Sequence, residues 1–432
     1  TQQGSKEAYE EAVRLLDDAI AIDPHYAPAL AWRSYAAAML SESDGGVGTT
    51  PMAEALPVVK DFADRAIAAD PQSAEALFAL GSYYGQLVIA GGPQHLDRTI
   101  ETLRKALAIR PNFPQAQNDL SYFLEKKGDI AGSIKLLEDV LANDPGLRDA
   151  HQNLIANLIA VGRLQDAGAA IERWARLKPG SSEPAANRAR LLAVEGRLAD
   201  ASTAIEAVKK TDADNKEVDR IERSVRLQLH DGDWLEQNGD QRFKAIGAAL
   251  NHDPGRALSI IAADPSTRLN ITRGLGTYVA IMRADGKDAD IVRYYDSAVK
   301  TPAAAIEARC NCSLSPLQNA LKAEGHKDYA PLLAARKAEQ ARQQAVYAQS
   351  SGFNAGRGDT AAFEGDFKSA AAFYAKAMDL GWRDPFFVTE PSLRPALPQD
   401  QTFNALRARM KALIDAERKK LGMEPIPNAP KK

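Results

Sequence analysis

The stretch PQAQNDLSYFLEKKGDIAGSIKLLEDVLANDP at 114–145 contains two helical patterns joined by a short turn. Gly128 suits the end of the first helix because glycine adopts left-handed backbone conformations at little cost. Asp129 follows it and can cap the second helix. Pro145 lacks the amide hydrogen and the steric room that a continuing helix needs. The stretch therefore predicts a helix, a turn, a second helix and a stop.

The stop motif returns along the first half of the chain. Its copies are AIAIDPHYAPAL at 19–30, AIAADPQSAEAL at 66–77, ALAIRPNFPQAQ at 106–117, VLANDPGLRDAH at 140–151 and WARLKPGSSEPA at 174–185. From the third copy the prolines recur every 34 residues, at Pro111, Pro145 and Pro179. The turn glycines keep the same step, at Gly128, Gly162 and Gly196. A fixed period of this length predicts stacked helix pairs.

Side-chain size follows the same period. Small residues occupy one position of the second helix, at Ser133, Ala167 and Ala201. Large apolar residues follow one helical turn later on the same face, at Leu137, Ile171 and Ile205. The two longer early steps contain Gly-rich insertions at 41–51 and 90–97, which we place in the turn between paired helices. Each pair leaves an apolar face that its neighbour must cover.

This pattern resembles the tetratricopeptide repeat (TPR) family over about residues 7–213. It returns in EGDFKSAAAFYAKAMDLGW at 364–382. The chain departs from the family in the first helix of each pair, where Leu120-Ser121 and Leu154-Ile155 stand in place of a common Leu-Gly pair. The resemblance implies an all-α, TPR-type α-solenoid, a right-handed superhelix of antiparallel helix pairs.

Four segments are predicted. A TPR superhelix covers 1–215, with an incomplete first unit that we expect to begin upstream of Thr1. Divergent helical pairs cover 216–340, where Gly286 and Gly325 precede charged or polar residues as Gly128 does. A TPR-like pair and a capping helix cover 341–422, and a flexible tail covers 423–432.

The composition excludes several classes of function. The net charge is −3, and no basic run supports nucleic-acid binding. No apolar stretch reaches the roughly 18–20 residues that span a bilayer, so we expect no membrane insertion within the chain.

No motif supports catalysis, a metal or a cofactor. The six histidines form no helical i, i+4 pair. GGVGTT at 45–50 lacks the lysine of a phosphate-binding loop and follows a helix, and GRGD at 356–359 is read as a chance match. Cys310 and Cys312 are too close for an unstrained disulfide; they are read as small residues near a helix start, with a redox pair as the alternative. We expect no enzyme.

A binding face is predicted on the first helices of the pairs. Asp119, Asn153 and Asn187 are 34 residues apart and would form a polar ladder, which resembles the asparagine ladders with which some TPR proteins hold peptides. The alternative is that these side chains cap local backbone or face water. The full candidate set is Asn118, Asp119, Tyr122, Gln152, Asn153, Asn187 and Arg190.

The chain is thus expected to bind a protein or peptide. The run at 7–32 resembles the TPR portions of bacterial membrane-anchored (CadC-like) winged-helix regulators and of cyclase-linked proteins, and so does the closing GDFKSAAAFYAKAMDLGWRDPFF with the later LRPALPQDQTFNALRARM. That resemblance implies a sensory module with an upstream anchor, for which the periplasm is the first compartment to test. A free-standing assembly scaffold is the alternative. The sequence leaves the ligand and the oligomeric state open.

Overall fold

The structure, a computed structural model, describes residues 6–42, 47–90, 92–263, 279–307, 314–389 and 394–427. In these ranges the secondary structure is helical, apart from a single bridge between Ser41 and Thr50. The chain divides into two compact units, Thr1–Asn157 and Leu158–Lys432. This division is not the four-segment one predicted from the sequence, and those segment boundaries stay a prediction.

Unit 1 consists of helices in successive pairs. They are α1 (Lys6–Ile22), α2 (Ala27–Met39), α3 (Met52–Ala69), α4 (Ala74–Ile89), α5 (Leu96–Ile109), α6 (Pro114–Lys127), α7 (Ile130–Asn143) and α8 (Arg148–Val161), which continues past the unit boundary. The pairs are α2 with α3, α4 with α5 and α6 with α7, and the first helices α2, α4 and α6 also pack in succession. Both Gly-rich insertions lie between paired helices, as predicted.

The turn at 128 has the predicted geometry. Gly128 has φ 92° and donates its amide to the Glu125 carbonyl at 2.9 Å. The amide of Asp129 donates to the Leu124 carbonyl at 2.8 Å, which completes a left-handed helix end. The Asp129 carboxylate then accepts the Gly132 amide at 2.9 Å and caps α7.

The core of unit 1 lies between the paired helices. Leu103, Ala106 and Leu137 are fully buried, and Ser133 is buried where two helices approach closely. The first helices add an aromatic cluster, in which Phe78 and Phe113 have ring centroids 4.9 Å apart. Burying a large apolar side chain contributes about 1.5–3 kcal/mol, so this interior supplies the driving force for pairing.

Unit 2 repeats the same construction. Its helices are α9 (Leu164–Leu177), α10 (Ser182–Val194), α11 (Leu198–Thr211), α12 (Lys216–Gln228), α13 (Gly232–Asn238), α14 (Gln241–Leu250), α15 (Pro254–Ala263), α16 (Asp288–Tyr294), α17 (Pro302–Glu307), α18 (Leu314–Ala323), α19 (Tyr329–Tyr347), α20 (Ser351–Phe363), α21 (Phe367–Asp379), α22 (Pro385–Thr389) and α23 (Gln401–Lys420). A π-helical turn, Tyr295–Val299, follows α16. The closest pairs are α10 with α11, α13 with α14, and α20 with α21. The periodic residues Ala167, Ile171, Ala201 and Ile205 are all buried.

The left-handed helix end found at Gly128 recurs in unit 2. The glycines that adopt it with the same pair of backbone hydrogen bonds are Gly162, Gly196, Gly286, Gly325, Gly365, Gly381 and Gly422. The turns predicted at Gly286 and Gly325 are therefore confirmed. His230 (φ 56°) and His252 (φ 61°) form the same turn without glycine. The helix-pair architecture is thus an all-α, TPR-type α-solenoid, as the period predicts.

The C-terminal helices lie against the turns of earlier pairs in unit 2. An added Cβ on Gly162 would meet the Gln349 carbonyl oxygen at 2.1 Å. The Glu417 carboxylate on α23 accepts the Ala199 amide at 2.9 Å, near the start of α11. Arg418 donates to the His230 carbonyl at 3.1 Å. Helix α23 therefore contacts the side of the earlier pairs, and its predicted capping role stays a prediction.

Part of the predicted flexible tail is packed in the described residues. Ile426 is buried in the cluster that contains Met410 and Ile414. Its amide donates to the Asp415 carboxylate at 2.8 Å. Ile426 therefore packs against α23, and the flexible tail over 423–432 stays a prediction.

Candidate functional site

Polar side chains of α6 and α8 meet on one face of unit 1. Asn153 donates its Nδ2 hydrogen to Asn118 Oδ1 at 3.0 Å, and both residues are half-buried. The other polar atom of each side-chain amide, Nδ2 of Asn118 and Oδ1 of Asn153, has no hydrogen-bond partner among the described residues. The pair therefore presents one donor and one acceptor that a ligand could use. We call this surface, with Asp119, Tyr122 and Gln152, the α6–α8 face.

Asp119 is an unpaired carboxylate on this face. It is half-buried, and neither a hydrogen bond nor an ion pair reaches its oxygens among the residues the structure describes. Burial, with the negative charge of Asp149 added to it, raises the pKa of Asp119 to about 7. Asp149 differs, because the guanidinium of Arg148 lies 3.5 Å from its carboxylate.

Two tyrosines from the start of the chain, Tyr9 and Tyr35, are near enough to these carboxylates to be affected by their charges. The rings of Tyr9 on α1 and Tyr35 on α2 are 6.3 Å apart and meet edge to face. Burial and then the charge of Asp119 hold the pKa of Tyr35 well above its ordinary value. Burial and then the charge of Asp149 raise the pKa of Tyr9. Trp32 meets Tyr35 edge to face at 5.7 Å.

The remaining predicted residues of unit 1 lie on the same two helices. Tyr122 packs edge to face on Phe123 at 5.1 Å, and the Lys126 ammonium lies 4.6 Å from the centroid of its ring. Gln152 is half-buried on α8, directly before Asn153. Both side chains thus border the asparagine pair along the helix.

The two predicted residues of unit 2 have local partners. Asn187 is 4% exposed and donates to the Glu183 carbonyl of its own helix at 3.0 Å. This is the contact that the backbone-capping alternative predicts. Arg190 is half-buried; burial lowers its pKa, with the nearby Glu217 acting in the opposite direction. The ladder of Asp119, Asn153 and Asn187 stays a prediction.

Sequence reasoning missed Tyr9, Tyr35 and Asp149 in this neighbourhood. A signal for Tyr35 was present, because it follows Pro24 by the same interval that separates Tyr122 from Pro111. Tyr9 carried no such signal, since it lies on α1, which has no first helix before it in the described residues.

The other motifs that the sequence raised have structural roles or fall outside the described residues. Asp359 of GRGD is 5% exposed and accepts hydrogen bonds from Ser315 Oγ at 2.5 Å and Arg394 Nε at 3.2 Å. Thr50, the last residue of GGVGTT, donates its amide hydrogen to the Leu40 carbonyl at 3.2 Å. Cys310 and Cys312 lie outside the described residues.

Unit 2 also holds an open polar pocket of about 410 Å³ beside α13, α14 and α15. Asn251 donates to Asp233 at 2.9 Å and to Glu236 at 2.8 Å across it, and Arg256 pairs with Glu236 at 2.7 Å. Four of its polar side chains are therefore already joined to one another: Asp233, Glu236, Asn251 and Arg256. Within the described ranges, no group of three or more His, Cys, Asp or Glu residues could hold a metal ion, and no helix is long and apolar enough to cross a membrane.

Comparison with known proteins gives similarity only among solved structures. The chain is similar to YrrB, described as a TPR protein with an unusual peptide-binding site, at 16% identity and TM-score 0.32, over 47% of this chain and 95% of that one. It is similar to a tetratricopeptide repeat protein from Parabacteroides merdae at 11% identity and TM-score 0.32, over 78% and 99%. Pseudomonas aeruginosa PilF matches at 19% identity and TM-score 0.32, over 49% and 82%.

No protein-family model and no curated protein matches the chain. All three TM-scores are below 0.5, so the class of fold rests on the helix pairs and turns described above.

Proposed function

We propose that the chain is a non-catalytic TPR-type module that binds an extended segment of a protein on the α6–α8 face. The observation that carries the proposal is the contact between Asn118 and Asn153, which leaves one donor and one acceptor open on adjacent first helices. An extended segment offers alternating backbone amides and carbonyls, with about 3.3 Å between successive residues. An asparagine pair fixed by its own hydrogen bond can meet both groups with little loss of side-chain entropy.

Binding to peptide pools tests the proposal. The probes are nonapeptides with amidated C-termini and an uncharged dye at the N-terminus, in pools with one fixed central residue and randomised small flanking residues. Fluorescence anisotropy with the full chain gives the dissociation constant of each pool. We expect Asn118→Ala and Asn153→Ala each to weaken binding roughly fivefold, since a lost hydrogen bond is worth about 1 kcal/mol.

The matched control is Asn143→Ala on α7. Asn143 is exposed, and its Nδ2 donates to the Asp139 carbonyl of the same helix at 2.9 Å. Its removal should leave every dissociation constant unchanged. Equal binding by the wild type and by the Asn118→Ala/Asn153→Ala double variant would reject the α6–α8 face as the binding surface.

We further propose that the module is the sensory or interaction part of a bacterial signalling or transcription-regulating protein. The support is the resemblance of the opening and closing runs of the sequence to winged-helix regulators. A free-standing adaptor with the same binding face is the alternative. The coding sequence immediately before the Thr1 codon discriminates between them: a winged-helix pattern and a membrane-spanning segment support the regulator, and a signal peptide alone supports the adaptor.

A further inference from the structure

The surroundings of Asp119 indicate which residue a bound segment places there. Its carboxylate is half-buried and within range of the negative charge of Asp149, and no cation contacts it in the described part of the chain. A buried charge without a partner is costly, and the arrival of a cation removes that cost. The position therefore favours an occupant of positive charge.

The cations near this position belong to other groups. Arg148 lies 3.5 Å from Asp149 and adjoins it in sequence. Lys126 lies over the ring of Tyr122 and 3.2 Å from the Glu125 carboxylate. Asp119 has neither arrangement, so its negative charge remains available to a ligand.

Aromatic rings within electrostatic range of the carboxylates suit the same occupant. Tyr9, Trp32 and Tyr35 form a continuous series, with centroid distances of 6.3 Å from Tyr9 to Tyr35 and 5.7 Å from Trp32 to Tyr35. The faces of tyrosine and tryptophan rings attract ammonium and guanidinium groups, and the ring edges pack on the methylene stems of lysine and arginine. These rings come from α1 and α2, whereas the carboxylates come from α6 and α8.

We propose that the bound segment carries a lysine or arginine whose side chain pairs with Asp119 beside the rings of Tyr9 and Tyr35. This inference rests on the proposed function and adds the chemistry of one residue of the ligand. The asparagine pair binds the backbone of the segment, and Asp119, one residue after Asn118 on α6, selects the side chain.

Four of the peptide pools described above test the inference, with lysine, arginine, norleucine or glutamate at the fixed central position. Norleucine matches the stem of lysine without its charge. At pH 8 and low salt we expect the lysine and arginine pools to bind at least about tenfold more tightly than the norleucine pool, because charge-assisted hydrogen bonds are the stronger ones. The glutamate pool should bind most weakly.

Asp119→Asn isolates the group responsible, since it removes the charge and keeps the shape. We expect it to reduce the preference for lysine over norleucine to less than about twofold. Asp139→Asn is the matched control, because Asp139 is an exposed carboxylate on α7. It should keep the full preference, and circular dichroism confirms that both variants are folded.

The pH dependence gives a second readout. Because the pKa of Asp119 is raised to about 7, the affinity for the lysine pool should rise between pH 6 and pH 8. The affinity for the norleucine pool should stay constant over the same interval.

Each remaining outcome overturns a specific statement. Equal binding of the lysine and norleucine pools overturns the selection of a cation and leaves peptide binding intact. A preference for lysine that survives in Asp119→Asn overturns the role of this carboxylate. Failure of all four pools to bind rejects the proposed function, and the inference with it.

Discussion

Replacing Asp119 by asparagine should stabilise the unliganded protein at pH 8. A carboxyl group with a pKa of about 7 rather than its ordinary 3.8 is held in surroundings that oppose its ionisation. At about 1.4 kcal/mol for each pKa unit, the rise corresponds to at most about 4 kcal/mol. Water reaches part of this half-buried group and screens its charge, so we expect a gain of roughly 1–2 kcal/mol in the free energy of unfolding.

The pH dependence of this gain has a definite sign. Between pH 3.8 and pH 7 the folded protein binds a proton at Asp119 that the unfolded chain has released. The stability of the wild type therefore falls as the pH rises through this interval. Asparagine cannot ionise, so the advantage of Asp119→Asn should be near zero at pH 4, grow up to about pH 7 and stay constant above it.

Urea unfolding followed by circular dichroism at 222 nm, at pH 4 and at pH 8, measures both quantities. Asp139→Asn is again the control, and it should change the unfolding free energy by less than about 0.5 kcal/mol at either pH. A variant at Asp119 that is less stable than the wild type at pH 8 would show that the carboxylate makes favourable contacts in the folded state. The reasoning about an unpaired charge would then be refuted.

Four further substitutions test the fold. His252→Gly should raise the free energy of unfolding by about 0.5–1 kcal/mol, as measured by urea titration. The exposed histidine has φ 61°, a backbone conformation that favours glycine. A loss of stability in this variant would contradict the prediction. Leu137→Ala should cost about 2–5 kcal/mol, since the side chain is fully buried, whereas Leu15→Ala, at a 61% exposed position, should cost less than about 0.5 kcal/mol. Gly162→Ala should lower the thermal midpoint, because its backbone has φ 82° and the new Cβ would meet the Gln349 carbonyl oxygen at 2.1 Å; an unchanged midpoint would show that this turn can move.

The helix pairs could be predicted because the residues that end each helix act locally. Proline and glycine act on the backbone of their own neighbourhood, so a step such as Pro111 to Pro145 is visible without knowledge of the tertiary structure. The period fades after residue 216 for a physical reason. His230 and His252 form the left-handed turns that glycine forms elsewhere, and histidine carries no such signal.

The binding face was predicted less completely. The step of 34 residues aligned Asp119 with Asn153. The structure instead joins Asn153 by a hydrogen bond to Asn118, which lies 35 residues before it. The same step gave no hint that Tyr9 and Tyr35 lie near Asp119. That proximity depends on how the first helices of unit 1 are arranged in three dimensions, which a period along the chain does not specify.

The contacts of the C-terminal helices with earlier turns could not be predicted from the sequence either. Gly162 and Gly196 share one position in the repeat, yet an added Cβ on Gly162 would meet the Gln349 carbonyl, and one on Gly196 would meet the guanidinium of Arg383. Glu417 reaches the amide of Ala199 across more than 200 residues of chain. Such pairings join residues with no common pattern, so only the structure identifies them.

Photo-crosslinking tests the central claim most directly. The lysine pool, prepared with a diazirine-bearing residue next to the fixed lysine, is irradiated with the full chain, and the adducts are mapped by peptide mass spectrometry. Binding on the α6–α8 face predicts adducts within 114–127 and 148–157, together with the neighbouring helices α1 and α2, which carry Tyr9 and Tyr35, and strong competition by unlabelled lysine pool. Adducts confined to 158–432, or spread evenly over the chain, would contradict the account.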